Sequence, residues 1–213
     1  MGAVQNQPDF NAKAVQILKG AMQEFLQNGY AGTSMDKVAA TAKVSKPTVY
    51  SHFRDKEGLF QALVQYVAQQ RCLRMIGEGP LQGDPAVVLR QVALETITTV
   101  LQDGEYQDFV RLVVGESGRF PLLAEAFLEN LTRPGLECLT QYLADHPELG
   151  IADPAATARV LLGTVVFFTI TQGLLGGETL MPMAPERLID SLMQLLLRQV
   201  EPLAPVGQAQ AAG

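Results

Sequence analysis

The stretch from Thr33 to Lys56, TSMDKVAATAKVSKPTVYSHFRDK, constrains this chain most. It reads as two short helices and the start of a third. Thr33 or Ser34 can N-cap the first, with Asp36 placed for a capping-box contact. Met35, Val38 and Ala39 give that helix one apolar side. Ala42-Lys43-Val44 has room only for a tight turn. Ser45 caps the second helix, where Pro47 is tolerated because first-turn N–H groups lack intrahelical partners. Val49 and Phe53, four apart, point inward together. Asp55 caps a third, longer helix.

Two short helices around a turn make a helix-turn-helix unit, whose second helix can enter the DNA major groove. Ala39 is small where the helices approach. The outer face carries Lys46, Thr48, Tyr50, Ser51 and His52, all hydrogen-bond donors, and donors are what phosphates and base edges accept from. The net charge of −6 at first opposes nucleic acid, but its distribution does not. Residues 1–57 carry seven basic and five acidic side chains, and every lysine precedes Glu57. The remainder is acidic. A basic head on an acidic body binds DNA by the head alone.

Asn28-Gly29-Tyr30, Thr33-Ser34, Val38-Ala39, Val44-Ser45-Lys46, Thr48-Val49-Tyr50, His52-Phe53 and Lys56-Glu57 with Leu59 resemble the DNA-binding signature of the tetracycline-repressor (TetR) family. The resemblance spans Val15 to Val64. It implies contacts to DNA from Thr33, Ser34, Lys43, Ser45, Lys46, Pro47, Thr48, Tyr50, Ser51, His52 and Lys56. One departure is Lys43, where many members carry Gly, so a left-handed turn residue there would be strained. Arg111-Leu112-Val113, Glu116, Arg119-Phe120-Pro121, Leu123 and Phe127, with Asp153-Pro154, resemble the AefR-like C-terminal class. The implied division is a DNA-binding head over 1–54 and a ligand-binding and dimerisation body over 55–213, linked by a helix at 55–76.

The chain is expected to be all-α: a three-helix head plus a larger helical bundle. Met1 to Phe10 reads as a loose tail. Asn11 caps a helix to Asn28 that Gly29 ends. After 55–76 comes a breaker-rich loop through Gly77-Glu78-Gly79-Pro80 and Gly83-Asp84-Pro85. Further helices are predicted from Asp84 to Asp103, Tyr106 to Ser117, Pro121 to Leu131, Gly135 to Ala144 beyond an interruption at Pro134, Asp153 to Leu175, and Glu186 to Val200. Pro202 onward reads as a frayed tail.

The run Val160–Gly177 approaches membrane-spanning length, but polar residues and glycines interrupt it, which favours burial in protein. No basic segment followed by an apolar run opens the chain, so no leader is expected. Cys72 and Cys138, without metal-like spacing, fit reduced thiols of a cytoplasmic protein. No metal and no cofactor is expected. His52 and His146 are the only histidines. Gly115-Glu116-Ser117-Gly118 lacks the second glycine of a nucleophile elbow, since Arg119 stands there. The chain therefore reads as a non-enzyme.

Phe109, Leu112, Val113, Glu116, Phe127, Phe167, Phe168 and Gln172 are candidates to line an apolar effector pocket, or plain core. Adjacent Phe167 and Phe168 cannot face the same way. The helix through Val160–Leu175 and the last helix (Leu188, Ile189, Leu192, Leu195, Leu196) suit a homodimer interface. The function these readings imply is a dimeric regulator, a repressor on a pseudo-palindromic operator of double-stranded DNA released by a small hydrophobic effector. Alternatives are a ligand-dependent activator, a helical ligand carrier without DNA binding, and an enzyme on a helical body.

Overall fold

The computed structural model describes residues 10–75 and 83–197, side chains of 72–75 excepted. The tails and the stretch 76–82, with Ile76 of the linking helix, lie outside the described residues, as do the side chains of Cys72 and Leu73. Among the described residues there are ten α-helices and no strand. They are α1 (Ala12–Gly32), α2 (Met35–Thr41), α3 (Lys46–His52), α4 (Lys56–Met75), α5 (Pro85–Gln102), α6 (Gly104–Glu116), α7 (Pro121–Phe127), α8 (Arg133–Ala144), α9 (Pro154–Thr169) and α10 (Pro185–Leu197).

Side-chain caps fix where most of these helices start. Asn11, Ser34, Ser45, Asp84 and Asp153 each accept a first-turn N–H, satisfying donors that have no intrahelical acceptor. Asp55 accepts the N–H of Gly58 at 2.8 Å. Asp103 caps α6, so that helix begins at Gly104 rather than Tyr106. Gly29, at φ 68 and ψ 174, breaks the helical run of α1 where the sequence placed its end.

Three expectations change. Phe10 is no loose tail: its ring meets Tyr66 edge-on, centroids 6.0 Å apart. Asp36 makes no capping box; its carboxylate pairs with Lys46 at 2.8 Å. Pro134 does not interrupt the helix. A π turn over Leu128–Thr132 joins α7 to α8, with Arg133 N–H reaching back to Leu128. The wide turn opens where a proline ring would otherwise press on the preceding turn's carbonyl. A second π turn, Ile170–Leu174, extends α9 until Gly176, at φ 65, ends it.

The core has two parts. The first gathers Ile17, Leu18, Phe25, Val38, Val49, Leu59, Phe60 and Leu63 of α1–α4 with Phe109, Val113 and Leu123 of α6 and α7. The second gathers Leu89, Ile97, Leu143, Leu161, Phe168 and Ile189 of α5, α8, α9 and α10. Arg71 ties α4 to the start of α6. Its guanidinium lies 3.2 Å from the Tyr106 ring centroid and bonds Asp103 at 2.7 Å. Burial raises the Tyr106 phenol above its usual pKa, opposed by the Arg71 charge and helped by a smaller push from the Asp103 carboxylate.

Candidate nucleic-acid interface

The turn between α2 and α3 is held from behind by α1. Gln16 Nε2 donates to the Ala42 carbonyl at 2.7 Å. Gly20 lets α1 come this close, since a Cβ there would sit 2.8 Å from that of Ala42. Lys43 takes the left-handed conformation, φ 54, that lets the chain reverse. Glu24, buried in α1, accepts from the Thr41 hydroxyl and from Asn28 Nδ2. These ties fix the direction in which α3 projects.

On α3 Val49 is fully buried, and Phe53 at its C-cap nearly so, while Lys46, Pro47, Tyr50, Ser51 and His52 face solvent. Thr48 is half-buried. Ser45 is exposed and shares a 2.7 Å hydrogen bond with the Thr48 hydroxyl. Ser51 turns its hydroxyl back onto the Thr48 carbonyl. Ser34 and Lys43 lie exposed at the start of α2 and in the turn. Lys46 Nζ sits between Asp36 and the Tyr50 ring, 6.0 Å from its centroid. The hydrogen bond it donates to Asp36, then the charge of that carboxylate, holds the Lys46 ammonium above its usual pKa. The result is an exposed face of donors over an apolar underside, able to meet phosphates and base edges.

Two expected members of this surface turn inward. Thr33 is 3% exposed and donates its hydroxyl to the carbonyls of Glu24 and Gly29. Lys56 Nζ donates to the carbonyls of Tyr30 and Thr33, and lies 4.5 Å from the Tyr30 centroid. Thr33 ties the start of α2 to the end of α1, and Lys56 locks that corner onto α4. Sequence reasoning missed Glu24 and gave Asp36 another partner. The Thr41–Glu24 and Lys46–Asp36 contacts each join two helices, so no spacing within one helix signals them.

The eight candidate pocket residues do not converge. Phe109 and Val113 are buried in the first core, with Leu112 and Phe127 packed beside them. Phe168 belongs to the second core. Gln172 is buried and donates to the Met181 carbonyl at 2.8 Å. Phe167 is 68% exposed. Glu116 leaves the body altogether: its Oε1 accepts the backbone N–H of Tyr30 at 3.0 Å. An open groove of about 460 Å³ on α5, lined by Ala86, Val87, Arg90, Gln91, Leu94 and Glu95, holds none of the eight.

The last helices are also divided. Ile189 and Leu192 are buried within the protomer, whereas Leu195 is 70% exposed. The segment Pro154–Leu174 is long and apolar enough to cross a membrane, yet only 28% of its apolar window is buried. Val160, Phe167 and Ile170 stand out from it.

A helix-turn-helix head carried on an all-helical body is the build of a DNA-binding transcriptional regulator. The family described as bacterial regulatory proteins, tetR family, matches residues 17–63, and the AefR-like transcriptional repressor C-terminal domain matches residues 87–199. The chain belongs to the tetR family. It is 30% identical to the HTH-type transcriptional regulator UidR of Escherichia coli K12 over 152 residues, 69% of this chain and 74% of that one. It is 24% identical to YvkB, an HTH-type transcriptional regulator of Bacillus subtilis, over 87% of this chain and 95% of that one. Among solved structures it is similar to the flavonoid-responsive regulator FrrA, with a TM-score of 0.72 and 27% identity, covering 90% of this chain and 98% of that one. It is likewise similar to a TetR-family transcriptional regulator from Mesorhizobium loti MAFF303099, with a TM-score of 0.68 and 27% identity, over 87% and 95% of the two chains.

Proposed function

We propose that this regulator is a cytoplasmic repressor that binds a pseudo-palindromic operator as a homodimer and lets go when a small hydrophobic effector binds. The observation that carries the reading is α3, with Val49 and Phe53 inward and Lys46, Pro47, Tyr50, Ser51 and His52 outward. Residues 1–54 act as the head, which contacts DNA. Ser34, Lys43, Ser45, Lys46, Pro47, Thr48, Tyr50, Ser51 and His52 face it. Thr33 and Lys56 serve by holding the corner behind them. Two-fold symmetry places the paired recognition helices about one turn of DNA apart, roughly 34–36 Å.

Residues 55–213 hold the partner and the effector. The exposed stripe Val160, Phe167 and Ile170 on α9, with Leu195 on α10, supports a face buried between two copies. The proposed effector site lies between the two apolar cores, with Phe109 and Val113 in one and Phe168 in the other. The similarity to a flavonoid-responsive regulator supports a small-molecule effector. The reading assigns the chain no catalytic step and no metal.

The test is fluorescence anisotropy on operator duplexes recovered from random DNA. A Lys46→Ala, Tyr50→Ala variant should remain folded and dimeric yet lose most operator affinity. Wild-type affinity in that variant would remove the assignment. Operator position relative to the promoter separates repression from activation.

A further inference from the structure

Three pieces of the protein meet at Tyr30. Gly29 departs from helical geometry just before it, so the Tyr30 N–H is no longer aimed at the carbonyl one turn back. Glu116 Oε1, the last residue of α6, accepts that N–H at 3.0 Å across 86 positions of sequence. The approach is close enough that a Cβ on Gly29 would stand 2.6 Å from the same oxygen. The Tyr30 carbonyl accepts from Lys56 Nζ of α4 at 2.8 Å. Its ring lies against Phe25 and Phe60 of the head and α4, and against Phe120 at the α6–α7 corner, 4.9 Å away.

The same helix is fastened elsewhere. Arg111 donates from Nη2 at 2.8 Å and Nε at 3.3 Å to the carbonyl of Leu174, the last residue of the π turn that extends α9. Gln107 Nε2 donates to the carbonyls closing α5, Val100 at 3.0 Å and Leu101 at 3.1 Å. Thus α6 grips α5 and α9 along its length and the head at its end.

We infer that Glu116 is a positioning residue for DNA binding: through the Tyr30 N–H it fixes the angle of the head on the body, and α6 carries the placement of α9 to the head by a route separate from α4. The inference rests on the reading that two heads bind one duplex. Glu116 touches no DNA. It acts by deciding how far apart the two recognition helices stand.

The experiment uses the full chain and the operator duplex that wild type selects from random DNA, together with duplexes whose half-site spacing is altered by one base pair either way. Wild type should discriminate against altered spacing by about tenfold, within the range typical of coupling between sites. Glu116→Ala, and Glu116→Asp, whose carboxylate stops one methylene short, should reduce that discrimination to about threefold or less. Glu116→Gln keeps an acceptor oxygen and should retain the wild-type profile. A role in stability alone would lower the melting temperature and leave the spacing profile intact. A wild-type profile in the Ala or Asp variant, or loss in Gln equal to that in Ala, overturns the inference. If wild type selects no duplex, the operator-bound dimer itself fails and this inference falls with it.

Discussion

The two apolar cores are built alike and finished differently. The first, under the head, is closed. Its rings are in contact, Phe25 stacked on Tyr30 and edge-on to Phe60, and Phe60 tilted against Phe109, in a core that also holds fully buried Ile17 and Leu18. What it shows to solvent is polar, the donors of α3. The second, between α5, α8, α9 and α10, is open on one side, where Val160, Phe167, Ile170 and Leu195 remain exposed. A surface of donors suits a charged, hydrated polymer, and a stripe of apolar side chains suits another apolar stripe. The contrast therefore favours the proposed reading, in which the two ends of the chain take different partners.

The severest way to break this contrast is to open the closed core. Phe60 is fully buried and meets Phe25 edge-on at 5.3 Å. Phe60→Ala should cost about 3–5 kcal/mol by denaturant titration, the usual range for an aromatic truncated inside a packed core. Operator binding should go with it, while dimerisation, measured by analytical ultracentrifugation, persists, because Ile189, Leu192 and the exposed stripe are untouched. Joint loss of both would show that the cores do not act separately.

The second way is to charge the open side. Phe167→Glu should leave the monomer's melting temperature nearly unchanged, because the side chain is already 68% exposed. Dimer affinity should fall by at least about 2 kcal/mol, roughly thirtyfold, as for a central aromatic anchor. A dimer of wild-type affinity would place the interface elsewhere on the molecule.

The ends of the chain were unequally legible for the same physical reason. In the head, most information is local. Ser34, Ser45 and Asp55 cap helices a few residues away, Gly29 stops α1, and Val49 and Phe53 follow helical spacing. Destinations set by tertiary contact were not legible. Thr33 is a hydroxyl beside a cap, and only the fold of α1 over it decides that it faces the Glu24 carbonyl. Glu116 reads as a polar residue on an apolar helix, and nothing near it in sequence points to Tyr30. Phe167 and Phe168 were correctly expected to diverge, but which of them is buried depends on how α9 rolls against α8. The π turn before Pro134 is invisible to a rule that treats proline only as a breaker.

A smaller effect separates the donors of α3 from one another. Lys46 is paired with Asp36, but both side chains are more than half exposed, 57% and 62%, and such surface pairs contribute little to folding. Lys46→Ala should therefore leave stability almost unchanged. If Lys46 exchanges Asp36 for a phosphate on binding, the slope of log affinity against log salt should become shallower by about 0.9. An unaltered slope would leave Lys46 facing Asp36 in the complex and remove it from the interface.

The smallest expected effect is the most pointed, because it sets folding against binding at one residue. Lys43 is the non-glycine residue at positive φ among those described, φ 54, in the turn that aims α3. A side chain there costs roughly 1 kcal/mol against glycine, which reaches the same conformation freely. Part of that gain is lost because glycine also frees the unfolded chain. Lys43→Gly should thus raise stability by about 0.5 kcal/mol, a shift of a degree or two in melting temperature. An exposed lysine in this turn earns its place only if its ammonium is used, so the same variant should bind operator DNA several-fold more weakly and with a shallower salt slope. Stability and affinity moving in opposite directions would mean that the strain is retained for binding. If both rise together, Lys43 faces away from the duplex, and the donor surface begins at Ser45.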